Sequence, residues 1–176
     1  MSDPLHPETG QPLLSDVNRA LRDHWLTLRG EGPDLPSWDA FDPVAVPRLL
    51  PYLVVVEVVG DPAVFRYRLV GTFVTELAGR DATGRTLDAA LYGDRLEAMI
   101  WTFRKCAETG VPLATLGSVH FAEKEWVTAE HIFLPFARGP DGDSAGIVLS
   151  GLDVLAGDQR LAGRARDVEL ILDWRK

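Results

Sequence analysis

One stretch of the chain contains the residue types of a phosphate-binding loop. Residues 79–86 read GRDATGRT, in which two glycines precede a basic residue and a threonine. A Walker A loop has this spacing with lysine at the position of Arg85, and its backbone N–H groups bind nucleotide phosphates at the start of a long helix. Here the residues before Gly79 indicate a helix instead of a buried strand, and Asp81 would place a carboxylate among the phosphates. We therefore interpret Gly79 and Gly84 as a helix end and a tight turn, where glycine permits positive φ.

Two histidines and the single cysteine are the other candidates for metal or redox chemistry. His120 and His131 lie on adjacent predicted strands, but two histidines without a third ligand at a set spacing rarely form a zinc site. Cys106 has no partner for an intrachain disulfide, and its position favours a small, partly buried side chain in a helix. We therefore predict no metal and no cofactor.

The sequence also lacks the pattern of a catalytic nucleophile. One G-x-S-x-G spelling, GDSAG at residues 142–146, falls in a predicted turn that leads into a strand, whereas a nucleophile elbow needs a turn from a strand into a helix. Glu123 and Glu125 in a predicted turn are typical of a solvated surface. We predict that the protein is not an enzyme. A small enzyme would require His120, His131 and a carboxylate to meet in an open cleft.

Size, composition and charge restrict the class of protein. The 176 residues are 46% hydrophobic and 25% charged, which is typical of a globular domain with a core. The net charge of −8 disfavours nucleic-acid binding, because an acidic surface repels a phosphate backbone. The N-terminus has no signal-peptide pattern, and no apolar run approaches the roughly 20 residues of a membrane span. We expect a cytoplasmic protein with no integral membrane segment.

Helix signals begin near the N-terminus, where Ser15 or Asp16 caps a predicted helix that ends at Gly30. One side of this helix is apolar, and we call it the apolar stripe. The apolar stripe consists of Val17, Leu21, Trp25 and Leu28. A connector rich in glycine and proline follows the helix.

A β-hairpin is predicted after the connector. Residues 53–59 and 64–70 are rich in β-branched and aromatic side chains and are joined by the turn GDPA. In the second strand Phe65, Tyr67 and Leu69 alternate with arginines, so we expect these three side chains to share the buried face.

The remaining elements complete one α+β domain. Short helices lead to a longer helix that starts after Gly93 and stops at Gly110. Three further strands, predicted to pair consecutively and antiparallel, cover residues 113–121, 126–137 and 145–155. The order predicts a five-stranded antiparallel sheet with helices on one face and an N-terminal flanking helix.

Three segments of the sequence resemble a known family. They read LPSWDAFDPVAVPRLLPYLVVVEVV, FRYRLVGTFVTELAGRDATGRTLD and HIFLPFA, and the likeness extends from His24 to Leu155. They resemble small, often stand-alone bacterial PAS-type proteins, which implies a PAS fold and a sensory function in signal transduction. We assign residues 1–41 to a tail, the flanking helix and the connector, residues 42–155 to the PAS-like domain, and residues 156–176 to a C-terminal extension.

The same resemblance bears on cofactors. Light-sensing relatives attach flavin through a cysteine in an Asn-Cys-Arg-Phe-type motif, which the sequence FRKCAET around Cys106 does not match. Haem-binding relatives usually take a histidine from the long helix, and the corresponding helix here contains none. Neither cofactor is expected.

PAS architecture implies a pocket between the sheet and the long helix. The predicted lining residues are Tyr67, Leu69, Phe73, Met99, Phe103, Leu116 and Ile132. Walls of this kind suit a small organic ligand, and the same side chains are equally typical of an ordinary core.

Two surfaces are candidates for protein contacts. Trp101 falls on the polar side of the long helix, where the core does not need a large aromatic side chain. The resemblance implies that the apolar stripe packs either between the protomers of a homodimer or on the chain's own sheet. We predict a non-enzymatic sensory domain that binds a small organic ligand and signals through a partner protein. The alternative is a ligand-free adaptor for protein–protein interaction, and a small enzyme is less favoured.

Overall fold

The computed structural model describes residues 13–119, 124–139 and 144–155, and its centre is a five-stranded antiparallel sheet. The strands are β1 (Leu53–Val59), β2 (Val64–Val70), β3 (Leu113–Val119), β4 (Lys124–Ala137) and β5 (Ala145–Val154). Their order across the sheet is β2-β1-β5-β4-β3. The α-helices are α1 (Asp16–Arg29), α2 (Thr72–Ala78), α3 (Ala89–Tyr92) and α4 (Leu96–Thr109). The predicted α+β arrangement is confirmed, and the C-terminal extension lies outside the described residues.

A bulge interrupts the predicted hairpin of β1 and β2. Val56 pairs with Tyr67, whereas the preceding residue of β1, Val55, pairs with Leu69. Arg68 is therefore the extra residue of a β-bulge. Because side chains alternate between the two faces of a sheet, a one-residue insertion changes the face of every side chain beyond it.

α1 packs on one face of the chain's own sheet. Ser15 caps it as predicted, since its Oγ accepts a 3.0 Å hydrogen bond from the N–H of Asn18. Leu21 and Trp25 are 0% and 1% exposed and belong to a buried cluster with the side chains of β4 and β5 on this face. The indole Nε1 of Trp25 also donates a 2.9 Å hydrogen bond to the carbonyl of Pro135. Apolar burial and a hydrogen bond to β4 together stabilise this docking.

A glycine in β5 allows α1 to lie close to the sheet. A Cβ atom at position Gly151 would lie 2.6 Å from Oδ1 of Asn18 and 2.8 Å from Cδ2 of Leu21. These distances are shorter than real Cβ contacts, so any larger residue at this position would displace α1 or the side chains around it.

The connector after α1 packs against the same face of the sheet. The rings of Trp38 and Phe41 stack at 5.0 Å between centroids, and Trp38 meets Phe136 edge-on at 5.4 Å. The N–H of Ala137 donates a 3.0 Å hydrogen bond to the carbonyl of Pro36. The connector is therefore an integral part of the α1 side of the domain.

The opposite face of the sheet carries α2, α3 and α4. The ring of Phe103 in α4 meets Phe133 of β4 edge-on at 5.1 Å and lies 5.9 Å from Phe65 of β2. Cys106, one turn further along α4, is 0% exposed. The helix ends at Gly110, whose φ of 62° is in the left-handed region, as the sequence predicts. The core of the domain thus has two halves, one on each face of the sheet.

Candidate functional site

Residues 79–86 pair with an edge strand of the sheet and do not form a phosphate loop. Gly79 ends α2 with a φ of 69°, and Gly84 has a φ of 82°, which confirms the interpretation of both glycines. The N–H of Gly84 donates to the carbonyl of Tyr67 at 2.8 Å, and the N–H of Tyr67 donates to the carbonyl of Arg85 at 2.8 Å. Because α2 precedes this segment and the four-residue α3 follows it, the strand and long helix of a Walker A site are missing from both ends.

This segment helps to enclose a cavity between the sheet and α2, α3 and α4. The cavity has a volume of about 50 Å³, and its walls are almost entirely apolar. α4 contributes Met99 and Phe103, and the sheet contributes Val54, Tyr67, Val70, His131 and Leu152. Residues of α2, α3 and the segment between them complete the walls.

Four polar side chains of the described residues line the cavity, and three of them have hydrogen-bond partners there. The hydroxyls of Tyr67 and Tyr92 are hydrogen-bonded to each other. Burial raises the pKa of both phenols, that of Tyr92 to about 12, so both side chains are neutral. The guanidinium of Arg80 donates to the carbonyls of Ala90, at 2.9 Å, and Leu91.

His131 of β4 is the fourth polar side chain, and one of its ring nitrogens is unpaired. Its Nε2 is shielded from solvent and has no hydrogen-bond partner among the described residues. Burial lowers the pKa of the imidazole from 6.5 to about 3, so the ring is neutral near pH 7. A neutral imidazole nitrogen can donate or accept a hydrogen bond, depending on the tautomer. The cavity wall therefore contains an unsatisfied hydrogen-bonding group.

Two carboxylates on the opposite face of the sheet hold the start of α1. Glu130 is 4% exposed, and its carboxylate accepts hydrogen bonds from the N–H groups of Leu14 and Ser15 and from Nδ2 of Asn18, at 2.6, 3.1 and 3.1 Å. The hydroxyl of Ser15 donates to Asp153 at 2.7 Å. The position of α1 on the sheet therefore depends on side chains from both β4 and β5.

The α1 contacts and the cavity are adjacent in the strand register. Glu130 of β4 is paired with Asp153 of β5, and in the next row His131 is paired with Leu152. The first pair binds α1 and the second lines the cavity. Consecutive residues of two neighbouring strands thus connect the two faces of the sheet.

The structure brings three of the predicted lining residues to the cavity, namely Tyr67, Met99 and Phe103. The prediction was wrong for Leu69, which is 46% exposed because the bulge at Arg68 turns it to the face of Val55. Ligand binding by the three residues in the cavity wall stays a prediction.

Three other predicted lining residues also lie elsewhere. Ile132 belongs to the buried cluster on the α1 side of the sheet. Leu116 is paired with Glu130 and so shares its face, which is also the α1 side. Phe73 packs against Tyr52, with the ring centroids 4.7 Å apart, and is not among the residues that line the cavity. Both faces of β4 are apolar, so alternation alone does not identify the cavity side.

The apolar stripe of α1 occupies the second of its two expected positions, on the chain's own sheet. Leu21 and Trp25 are fully buried there, so a partner could reach them only if α1 were displaced. Val17 and Leu28 are half-buried, and their role in an interface stays a prediction.

Trp101 is half-buried on α4. Nζ of Lys105 lies 5.9 Å from the centroid of its ring, at the outer limit of a cation–π contact. A partner contact at this surface stays a prediction.

Metal ligands do not gather within the described ranges, where no three histidine, cysteine or acidic side chains form a possible ion site. His120 lies outside the described residues. Cys106 is fully buried, and burial raises the pKa of its thiol, which keeps the sulfur protonated. In the part of the chain that the structure covers, no helix combines the length and apolar character of a membrane span.

Comparison with known proteins matches the chain to a family model and to solved structures. A family model described as PAS domain matches residues 14–149. The crystal structure of the Rhodobacter sphaeroides LOV protein is similar with a TM-score of 0.45 and 13% sequence identity, and the match covers 71% of this chain and 74% of that one. No curated protein matches the chain.

Proposed function

The chain belongs to the PAS-domain family of sensory and regulatory domains, and we propose that it binds a small organic ligand in the cavity and signals through a partner protein. The observation that carries this proposal is the cavity between α4 and the sheet, whose wall contains Nε2 of His131 without a hydrogen-bond partner in the described part of the chain. Apolar walls with few polar groups are typical of small-molecule sites. A ligand that satisfies a buried polar atom gains a hydrogen bond and removes the cost of leaving that atom unpaired.

We propose that the output is a change in the docking of α1. A ligand in contact with His131 or Leu152 touches the strand positions next to Glu130 and Asp153, which hold the start of α1. A shift of these strands that lengthens hydrogen bonds to Ser15 would weaken the docking of α1 and expose Leu21 and Trp25 to a partner or a second copy of the chain. Such a response requires the ligand to bind one packing of α1 more tightly than the other.

A non-enzymatic role in the cytoplasm is part of the same proposal. The cavity walls are nearly all apolar, and the tyrosines and histidine in them are neutral. These groups suit binding and orientation of a ligand better than proton transfer, which is most efficient when the pKa of the catalytic group lies near the working pH.

A ligand-free adaptor is the second candidate, and the size of the cavity favours it. An engineered cavity of about 150 Å³ holds benzene, whereas this one has a volume of about 50 Å³. In an adaptor the cavity would be a packing defect or a site for water, and exposed surfaces such as the one around Trp101 would carry the function.

A thermal-shift screen of small organic molecules, both uncharged and charged, separates the two candidates. The screen compares the wild-type chain with Ala82→Leu, which fills the cavity, and with Ala98→Leu, which adds the same side chain to an exposed site on α4. We expect at least one compound to raise the melting temperature of the wild type and Ala98→Leu but not that of Ala82→Leu. If every stabilising compound acts equally on all three proteins, the ligand-binding proposal is wrong and the adaptor is favoured.

A further inference from the structure

Charge distinguishes between the classes of ligand that the cavity could accept. Among the described residues that line it, Arg80 is the only charged one, and its guanidinium is already engaged by the carbonyls of Ala90 and Leu91. A cationic ligand would lose its hydration without finding a carboxylate. An anionic ligand would have to draw Arg80 away from these two carbonyls. Both would bear the cost of moving a charge out of water into apolar walls.

The hydrogen-bonding groups of the walls narrow the choice further. The hydroxyls of Tyr67 and Tyr92 bind each other, whereas Nε2 of His131 is shielded from solvent and has no hydrogen-bond partner within residues 13–119, 124–139 and 144–155. We propose that the cavity selects a compact, uncharged organic molecule whose single polar group hydrogen-bonds to Nε2 of His131. This inference rests on the proposed ligand-binding function and names the chemical class of the ligand.

The volume of the cavity sets the scale of the ligand. A space of about 50 Å³ is about a third of the roughly 150 Å³ that accommodate benzene, so the bound molecule is a small alcohol or carbonyl compound. Met99 provides some adaptability, because it is half-buried in the wall and its unbranched side chain has several rotatable bonds.

A matched set of small probes tests the proposal by NMR. 2-Propanol, acetate and isopropylammonium have the same number of non-hydrogen atoms and differ in charge. We expect 2-propanol to shift the imidazole nitrogen of His131 and the methyl groups of Met99 and Leu152, and the two ions to have no such effect at equal concentration. The methyl groups of Leu69, which is exposed on the other face, report non-specific solvent effects. In His131→Phe the affinity for 2-propanol should fall about two- to tenfold, the range that one neutral hydrogen bond supplies.

The results that would overturn this inference differ from those that would overturn the proposed function. If acetate bound most tightly of the three probes, Arg80 would determine which ligand the cavity accepts. If the wild type and His131→Phe had equal affinity for 2-propanol, the ligand would not form a hydrogen bond to His131. The wild type alone provides a second test if His131→Phe does not fold. A chemical shift of the His131 nitrogen that stays constant while 2-propanol is added also shows that this hydrogen bond does not form. Xenon, which enters apolar cavities, tests the cavity itself. If xenon shifts the Met99 and Leu152 methyl groups but 2-propanol does not, only the ligand class is wrong. If neither probe shifts them, the proposed ligand site is wrong as well.

Discussion

Replacing His131 by phenylalanine should remove a large part of the acid sensitivity of the fold. Burial lowers the pKa of His131 from 6.5 to about 3 in the folded chain. The imidazole therefore binds a proton more readily in the unfolded chain than in the folded chain. As a result, the free energy of unfolding has its full value above pH 6.5 and decreases as the pH falls from 6.5 towards 3. At about pH 4.5 the loss should amount to roughly 2–3 kcal/mol of unfolding free energy. Phenylalanine cannot be protonated and has a similar ring, so the variant should lack this contribution.

Urea unfolding at about pH 7.5 and about pH 4.5, with the wild type and His131→Phe, measures the effect directly. The carboxylates of the chain titrate in both proteins, so their contribution cancels when the two pH-dependent losses are compared. We expect the wild type to lose roughly 2–3 kcal/mol more than the variant between the two conditions. Equal losses would show that His131 is hydrated in the folded chain, and they would refute the reasoning about a buried, unpaired nitrogen in the cavity wall.

Two further pairs of substitutions, each a test variant with its control, probe the packing on the two faces of the sheet. Gly151→Ala should displace α1 and lower the stability by roughly 1–3 kcal/mol, because the new Cβ would lie 2.6 Å from Oδ1 of Asn18. Its control is Gly117→Ala in β3, where a Cβ meets nothing within 4 Å. This control should change the stability by less than about 1 kcal/mol. Equal effects of the two substitutions in urea unfolding would contradict the close packing of α1. Phe103→Ala should cost roughly 3–5 kcal/mol, whereas Leu69→Ser should cost about 1 kcal/mol or less, because that side chain is 46% exposed. A comparably large loss for Leu69→Ser would contradict the bulge in β2.

Local signals in the sequence were sufficient to predict most of the elements. The cap at Ser15, the helical spacing of Leu21 and Trp25, and the stop at Gly110 depend on interactions within a few residues, and the structure reproduces all three. The connector was harder to interpret. Its glycines and prolines identified it as irregular, but the packing of Trp38 on Phe136 depends on a contact between distant parts of the chain.

The candidate site was only partly predictable because its residues depend on the faces of the strands. Tyr67 was assigned correctly by alternation, but Leu69 was not, since nothing in the sequence marks Arg68 as a bulge. Ile132 was placed on the wrong face because α1 and α4 cover opposite sides of β4 and both sides are apolar. The sequence identifies His131 as a histidine on a predicted strand. Only the tertiary structure shows that its Nε2 has no hydrogen-bond partner among the described residues.

The central claim is that occupation of the cavity changes the docking of α1. Its most direct test is the exchange rate of the indole N–H of Trp25, which is bonded to the carbonyl of Pro135, with and without saturating 2-propanol. Ala82→Leu, in which the added side chain fills the cavity, is the control for effects of the solvent at the same alcohol concentration. We predict a changed exchange rate in the wild type and a much smaller change in the variant. Identical rates in the wild type with and without the alcohol, while the His131 nitrogen reports that the cavity is occupied, would contradict the claim.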